Sequence, residues 1–290
     1  MTITIGTCPC SWGVWYPKDD KQPDWQDYIK ELTLAKYHTT ELGPYGYLPK
    51  DPKALQKLLN DNNLKVCSTA AVASLSQKDC LDNILAELKN VGPLLKELGA
   101  SWYVLMDESA DYPNVKARSI DNARWNYMIE VINKVAQLVK EEYGLNFAFH
   151  PHVGTCVETQ EQILRFMKDT NPKLVHLCFD IGHHAYTGAD PIAFIKEHHS
   201  RIGYYHLKNV DAAIRQKVKD ENLTDDEAFE MGVMCKLRDG SVDYKEIIKV
   251  IHATGFSGYC IIEQDLYPAP KGIALPIAID NLKFIEELGL

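Results

Sequence analysis

Two kinds of long run are missing from this 290-residue chain. No apolar stretch approaches the roughly 20 residues that a membrane-spanning helix needs, so we expect no membrane partner. No Lys- or Arg-rich run occurs, and with a formal net charge of −9 we expect no nucleic-acid partner. The opening MTITIGTCPC lacks the charged head and apolar core of a signal peptide, which predicts a soluble, cytoplasmic protein.

Two families of short motif are also missing. The eight cysteines contain no C-x-x-C pair, and most lie in apolar runs, so reduced core thiols are expected rather than disulfides. Cys8 and Cys10 form a C-x-C pair, which by itself is a weak metal-binding signal. The Gly-rich strand–turn–helix motifs of dinucleotide- and phosphate-binding folds do not occur. These absences argue against a nucleotide-dependent enzyme and a secreted disulfide scaffold.

Strand and helix patterns alternate along the whole chain. The patterns predict strands over residues 2–8, 39–42, 64–70, 101–106, 145–149, 174–179, 202–205 and 259–262. They predict helices over residues 24–37, 51–62, 81–98, 120–142, 158–168, 191–198, 242–253 and 274–287. Regular alternation favours a parallel sheet, and the count of strands predicts an α/β fold of one (β/α)₈ TIM barrel spanning residues 1–290. A doubly wound open sheet is the alternative.

The segment 174–191, LVHLCFDIGHHAYTGADP, is the most informative stretch. Its apolar first part is typical of a strand buried on both faces, and that run stops at Asp180. His183 follows in a predicted loop, and Asp190 is a plausible N-cap for the next helix. Active sites of parallel α/β folds form where such strands end.

Ionisable side chains follow four consecutive predicted strands: His150, Asp180, His206 and Glu263. In a barrel they would converge on one mouth. Mixed imidazole and carboxylate ligands suit transition metals better than Ca²⁺ or Mg²⁺. We therefore predict one divalent metal, with Mn²⁺ or Co²⁺ first and Zn²⁺ or Fe²⁺ as alternatives. Glu158 is the alternative to His150 as the fourth ligand.

Several sequence pieces resemble one known group, the xylose-isomerase-like barrel superfamily. They are TELGPYGYLP at 40–49, FHPHVGTCVET at 149–159, FDIGHHAYTGADP at 179–191, HLKNV at 206–210, DGSVDY at 239–244 and GYCIIEQD at 258–265. The superfamily includes sugar isomerases, epimerases and endonuclease IV, and within it the chain most resembles the inosose dehydratase family. The resemblance implies metal-ligand positions at Asp180, His206 and Glu263 and a substrate-contacting position at His183. His150 stands where the epimerase branch has Glu and the dehydratase motif has His.

This residue set favours dehydration over epimerisation. The epimerases of the superfamily use two metal-bound carboxylates on opposite faces of the substrate. In this chain His150 occupies the position of one of these carboxylates. Elimination needs one base, Glu263, and one acid, for which His183 and Lys208 are candidates, while the metal polarises the carbonyl. We predict a carbon–oxygen lyase that dehydrates 2-keto-myo-inositol or a related cyclic polyol ketone in inositol breakdown. The alternatives are a metal-dependent sugar isomerase or epimerase, which would recruit Glu158 or Glu41, and a sugar-binding barrel without metal.

Further expectations concern the substrate and the mouth of the barrel. His152, Glu41 and Trp12 are predicted to contact a small polyol or sugar. Residues 211–238 exceed an ordinary βα connection, and we expect short helices there that form a lid carrying Phe229. Subunit contact in a possible homo-oligomer is the alternative role for this insertion.

Overall fold

The computed structural model describes residues 2–113 and 118–290 and consists of a sheet of parallel strands and the helices that follow them. The strands are β1 (Ile3–Thr7), β2 (Thr39–Glu41), β3 (Lys65–Ser68), β4 (Ala70–Ala73), β5 (Trp102–Asp107), β6 (Asn146–His150), β7 (Val175–Asp180), β8 (Ile202–Leu207), β9 (Asn209–Val210), β10 (Met234–Cys235) and β11 (Gly258–Ile262). Nine of them form one sheet, while β9 and β10 pair as a separate antiparallel ribbon.

The large sheet closes on itself. Its strand order is β3-β2-β1-β11-β8-β7-β6-β5-β4, so β3 and β4 stand at the two ends. These two segments are consecutive pieces of one strand, separated only by Thr69. The amide of Ser101 donates to the Cys67 carbonyl (3.0 Å) and that of Val104 to the Thr69 carbonyl (3.1 Å), which joins β5 to this strand. The predicted eight-stranded TIM barrel is thus confirmed over the open sheet.

Helices follow the barrel strands in the order that the sequence predicts. They are α1 (Trp25–Leu34), α2 (Pro52–Asp61), α3 (Cys80–Glu97), α4 (Asn122–Tyr143), α5 (Gln160–Asp169), α6 (Ile181–Tyr186), α7 (Pro191–His198), α8 (Ala212–Asp220), α9 (Asp225–Glu230), α10 (Tyr244–Ala253) and α11 (Ala274–Glu287). Asp51 and Asp190 cap α2 and α7 ahead of a proline in the first turn. Among the described residues, no helix combines the length and apolarity needed to cross a bilayer.

The segment after β7 differs from the prediction, because it is the helix α6 and not a loop. Oδ1 of Asp180 accepts the amide hydrogen of His183 at 2.8 Å and caps this helix directly after the strand. Gly182 lets α6 approach the chain beyond β8, since a Cβ there would lie 2.7 Å from Cβ of Lys208. The short helix therefore presents His183 beside Lys208.

His184, the next residue of α6, has an apolar environment that should make the fold sensitive to acid. Its ring lies between Phe179 and Phe194, with centroids 5.0 and 4.9 Å away, and neither nitrogen has a hydrogen-bond partner among the described residues. Burial lowers the pKa of His184 from 6.5 to about 4. Protonation therefore favours the unfolded chain, and stability falls as the pH drops from 6.5 towards 4.

We expect His184→Phe to remove this acid sensitivity. Each unit of pKa shift corresponds to about 1.4 kcal/mol, so the wild type should lose about 2 kcal/mol more unfolding free energy than the variant between pH 6.5 and 5. Urea unfolding at both pH values measures this difference. His252→Phe, at an exposed position of α10, is the matched control. Equal pH dependence in wild type and His184→Phe would contradict the prediction.

Candidate metal centre

The site is formed by strand residues whose side chains point into the barrel, because successive side chains of a strand alternate between its two faces. The barrel interior contains Ala148, Cys178, Tyr204 and Ile261, one from each of β6, β7, β8 and β11. Successive side chains of a strand point to opposite faces, so the residue two positions further on also points inward, at the carboxyl end of the barrel. Those residues are His150, Asp180, His206 and Glu263. The strand-end pattern and the two-residue period thus place one cluster above the packed interior.

The four side chains lie close together and are almost completely buried. One ligand atom from each lies within 4.8 Å of all the others. Oδ2 of Asp180 is 3.9 Å from Nε2 of His150 and 3.8 Å from Nδ1 of His206, and Nδ1 of His206 is 3.0 Å from Oε2 of Glu263. Their side-chain exposure does not exceed 7%. Two imidazoles and two carboxylates therefore surround one point.

Hydrogen bonds to neighbouring groups orient both imidazoles. Nδ1 of His150 lies 2.8 Å from the carbonyl of Pro151, which fixes it as the donor and leaves Nε2 facing the cluster. Nε2 of His206 lies 3.3 Å from Oε1 of Glu41, so Nδ1 faces the cluster. Imidazole ligands of metals are typically held by such outer contacts.

The cluster fits a divalent cation. Nδ1 of His206 is buried and makes no hydrogen bond in the described part of the chain, although Oε2 of Glu263 lies 3.0 Å away, and the ammonium of Lys208 lies 3.1 Å from Oδ2 of Asp180. Buried polar atoms without a partner are costly and require an explanation such as a bound ion. The mixture of imidazole nitrogen and carboxylate oxygen suits first-row transition metals and zinc. The geometry is therefore that of a four-ligand metal site.

A buried lysine joins this cluster to a second group of side chains. Nζ of Lys208 lies 3.1 Å from Oδ2 of Asp180, 3.0 Å from Oε2 of Glu263 and 3.0 Å from Asp265. It also lies 2.9 Å from Nε2 of His183. An ammonium group has no acceptor, so Nε2 of His183 must accept and Nδ1 must carry the hydrogen. Lys208 and His183 thus form a proton-bearing pair beside Glu263.

Charge coupling sets the protonation states of this pair and its neighbours. Burial alone would lower the pKa of Lys208, but the carboxylate of Asp180 and two other carboxylates raise it well above its usual value. Burial would raise the pKa of Glu263, yet His206 and Lys208 bring it well below normal. Burial raises the pKa of Asp180 to about 6. Lys208 is therefore charged and Glu263 is an ionised carboxylate.

The histidines that face the mouth are neutral instead. Burial, followed by the neighbouring positive groups, holds the pKa of His150 and His183 well below the usual range. Burial also lowers the pKa of His152, whose ring centroid lies 3.9 Å from that of His183. Neutral imidazoles are the form that binds metals and relays protons.

Glu41, Trp12 and Glu158 were also predicted from the sequence, and each lies outside the four-residue cluster and contacts another part of the chain. Oε1 of Glu41 accepts from Ser68 (3.0 Å) and Tyr204 (2.8 Å) as well as facing His206, so the structure gives it an orienting position beneath the site rather than an open substrate-facing one. Nε1 of Trp12 donates to Glu31 at 2.9 Å, and the indole is buried. Glu158 forms an ion pair with Arg118 at 3.1 Å and accepts the Gly154 amide hydrogen at 2.8 Å. His150, and not Glu158, joins the cluster.

The sequence prediction did not include two charged residues near the site. Asp265 pairs with Lys208, and its place two residues beyond Glu263, on the same side of an extended chain, was the available signal. Arg118 bonds both Glu158 and, at 2.8 Å, Asp225 of α9. Nothing in the local pattern around Arg118 indicates this contact, because its partners lie far along the chain.

The insertion lies against the mouth of the barrel. It contains α8, α9 and β10, as the expected short helices require. The ring of Phe229 on α9 lies 6.3 Å from that of His183. Asp225 accepts from Tyr186 of α6 at 2.8 Å and pairs with Arg118, which connects α9 to α6 and to the segment between β5 and α4. These contacts support the predicted lid.

We expect Asp225→Asn to loosen this lid. The change leaves the buried guanidinium of Arg118 with less negative charge, and removing one partner of a buried ion pair is costly. Cleavage within residues 211–238 by a low concentration of protease should become at least about tenfold faster. Glu230→Gln, an exposed position of the same helix, is the control. Unchanged cleavage in Asp225→Asn, or cleavage equally fast in the control, would contradict the lid.

Comparison with known proteins identifies the family. The model of the xylose isomerase-like TIM barrel family matches residues 27–288. The chain belongs to this family. Among its relatives, inosose dehydratase of Clostridium botulinum is 30% identical, with 98% of this chain and 97% of that protein covered. Inosose dehydratase of Lacticaseibacillus casei is also 30% identical, with 99% and 97% covered.

Solved structures of other proteins share the fold. The IOLI protein with a bound zinc atom superimposes with a TM-score of 0.75 at 16% identity, covering 98% of this chain and 97% of that chain. L-ribulose 3-epimerase gives a TM-score of 0.72 at 18% identity, covering 99% and 94%. At these identities the similarity shows a shared barrel fold alone.

Proposed function

We propose that this protein is a metal-dependent dehydratase, a carbon–oxygen lyase, that removes water from 2-keto-myo-inositol or a closely related cyclic polyol ketone in inositol breakdown. Full-length relatives at 30% identity carry the name inosose dehydratase. The observation that carries the proposal is the carboxylate inventory of the site. In the four-residue cluster the proposed base is Glu263, which lies 3.0 Å from Nζ of Lys208 in the proton-bearing lysine–histidine pair.

This inventory separates dehydration from epimerisation. Two-face epimerisation needs a second carboxylate opposite Glu263 to return the proton. The end of β6 instead supplies His150. Of the two carboxylates that epimerisation could recruit, Glu158 is bound to Arg118 and Gly154, and Oε1 of Glu41 accepts from Ser68 and Tyr204 and faces His206. The second carboxylate of the cluster, Asp180, uses Oδ1 to cap α6. Elimination requires only one base, which this site has.

The metal supplies Lewis-acid polarisation of the ketone oxygen when it is bound. His150, Asp180, His206 and Glu263 would hold it, with Mn²⁺ or Co²⁺ as the first choice and Zn²⁺ or Fe²⁺ next. The zinc in the solved IOLI protein supports a divalent metal in this barrel. Asp180 and Glu263 would balance the charge of the ion, and the contact of Nε2 of His206 with Glu41 leaves Nδ1 of His206 to face it.

The protein's own groups move the protons. Glu263 removes the proton from the carbon beside the ketone, and the C–H electron pair forms the double bond that expels the β-hydroxyl. The departing oxygen takes one proton from the Lys208–His183 pair, in which Nζ of Lys208 lies 2.9 Å from Nε2 of His183, so that water leaves. General acid–base assistance of this kind contributes about 10²–10⁴-fold per group.

Product analysis tests the proposal. The metal-loaded protein is incubated with 2-keto-myo-inositol and, separately, with several ketohexoses, and a chelator-treated sample is the control. We expect loss of water from the inosose, with a new ultraviolet absorbance of the conjugated dione, and no change in the ketohexoses. Interconversion of ketohexoses with the inosose left unchanged would establish the epimerase alternative instead.

A further inference from the structure

Two thiols contact the carboxylate of Glu263 at the oxygen that the first cluster leaves free. Sγ of Cys8 lies 3.1 Å and Sγ of Cys10 lies 3.3 Å from Oε1. The other oxygen, Oε2, faces His206 and Lys208, each at 3.0 Å. Glu263 therefore stands between two distinct groups of metal-ligating side chains.

The backbone holds both thiols in place. Thr7 of β1 pairs with Ile262 of β11, so Cys8 emerges next to Glu263. The 3-10 turn Pro9–Trp12 then brings Cys10 back over the same carboxylate. The hydroxyl of Ser11 in this turn accepts from the Gln264 amide at 3.1 Å, which fastens the turn to the chain beyond β11.

The donor set differs chemically from the first cluster. Sγ of Cys8, Sγ of Cys10 and a carboxylate oxygen of Glu263 lie within 4.8 Å of one another. Oδ1 of Asp265 lies 3.7 Å from Sγ of Cys10 but accepts from Nζ of Lys208 at 3.0 Å, so it lies beside this group and outside it. Two sulfurs with a carboxylate oxygen suit Zn²⁺ and softer divalent ions such as Cd²⁺. Within the described residues, this group and the first cluster are the two that meet the geometric requirement for a metal.

We propose that Cys8, Cys10 and Oε1 of Glu263 form a second metal site for a thiophilic divalent cation. Both thiols lose their protons to solvent when the cation binds, so that metal–sulfur bonds replace the two S–H···O hydrogen bonds. Since Glu263 is shared, a cation in this site engages the carboxylate that the dehydratase proposal uses as its base. The second site is therefore inhibitory, and this consequence alone rests on the proposed function.

Titration with Cd²⁺ tests the second site without an activity assay. We expect the wild type to retain two equivalents after gel filtration, one of which produces thiolate-to-cadmium charge-transfer absorption in the ultraviolet. The Cys8→Ser/Cys10→Ser variant should retain one equivalent and lose this absorption. Cys235→Ser is the control: it removes a half-buried thiol of β10 and should keep the charge-transfer absorption.

Further variants separate this site from the first one. Asp180→Asn should lose the bound Cd²⁺ that gives no charge-transfer absorption and keep the Cd²⁺ that gives the thiolate band. This result concerns metal binding only, so it would stand even if the protein were not a dehydratase. Absence of the band in the wild type overturns the second site, as does its persistence in the double serine variant. Circular dichroism checks that each variant folds, and the single Cys10→Ser variant repeats the test with a smaller change.

Discussion

Replacing Asp180 with Asn is expected to abolish tight binding of the catalytic metal. The change removes one of two anionic ligands from a buried group in which the remaining donors are the imidazoles of His150 and His206 and the carboxylate of Glu263. Loss of an outer-shell partner costs about 10–100-fold in metal affinity, so loss of a charged ligand should exceed 100-fold. Elemental analysis after dialysis against low concentrations of Mn²⁺ or Co²⁺ measures the effect.

The fold should survive this substitution. Asn caps helices as well as Asp does, so the bond from the His183 amide to the capping oxygen is retained in α6. Asp190→Asn is the matched control, because Asp190 caps α7 in the same way but lies outside the cluster. Glu41→Gln should give the intermediate, outer-shell loss. Full metal content in Asp180→Asn would show that Asp180 is not a ligand.

The barrel could be predicted because buried parallel strands have a distinctive pattern. The apolar run over residues 174–179 differs by only one residue at each end from β7 (Val175–Asp180). The break of the third barrel strand at Thr69 was not predictable in this way. Thr69 donates its hydroxyl hydrogen to the Gly43 carbonyl at 3.1 Å, and the pairing of β2 with β3 shifts register beside it. Both effects depend on a neighbouring strand and leave no local pattern.

The strand-end positions of the four predicted ligands could likewise be predicted from the sequence. The directions of the Glu41 and Trp12 side chains could not. Glu41 ends a strand of only three residues, too short for a two-residue period to show which way it points. The direction of Trp12 depends on the single 3-10 turn after β1. The helix α6 has six residues, fewer than the periodic pattern of a helix requires. Short elements whose conformation depends on tertiary contacts account for these differences.

Replacing Glu263 with Gln is expected to have the largest effect on turnover. Gln keeps the size of the side chain but loses the charge that attracts the metal, Lys208 and His206, and it is far too weakly basic to take the substrate's proton. Since a general base contributes about 10²–10⁴-fold, we expect the turnover number to fall by at least about 10⁴-fold when metal binding is also weakened. His183→Asn should lose only about 10²-fold, because Lys208 remains within reach of the site.

Glu263→Gln changes both a metal ligand and the proposed base, so its effect on metal binding has to be measured separately from its effect on turnover. Turnover of each variant on 2-keto-myo-inositol is therefore measured at saturating metal, and bound metal is determined in the same samples. Glu246→Gln, a partly exposed carboxylate of α10, controls for the loss of one negative charge. If metal-saturated Glu263→Gln retains more than about a tenth of wild-type turnover, Glu263 does not carry the proton. An equal loss in Glu263→Gln and His183→Asn would instead mean that breaking the C–O bond limits the rate, because the donor to the leaving oxygen would then matter as much as the base.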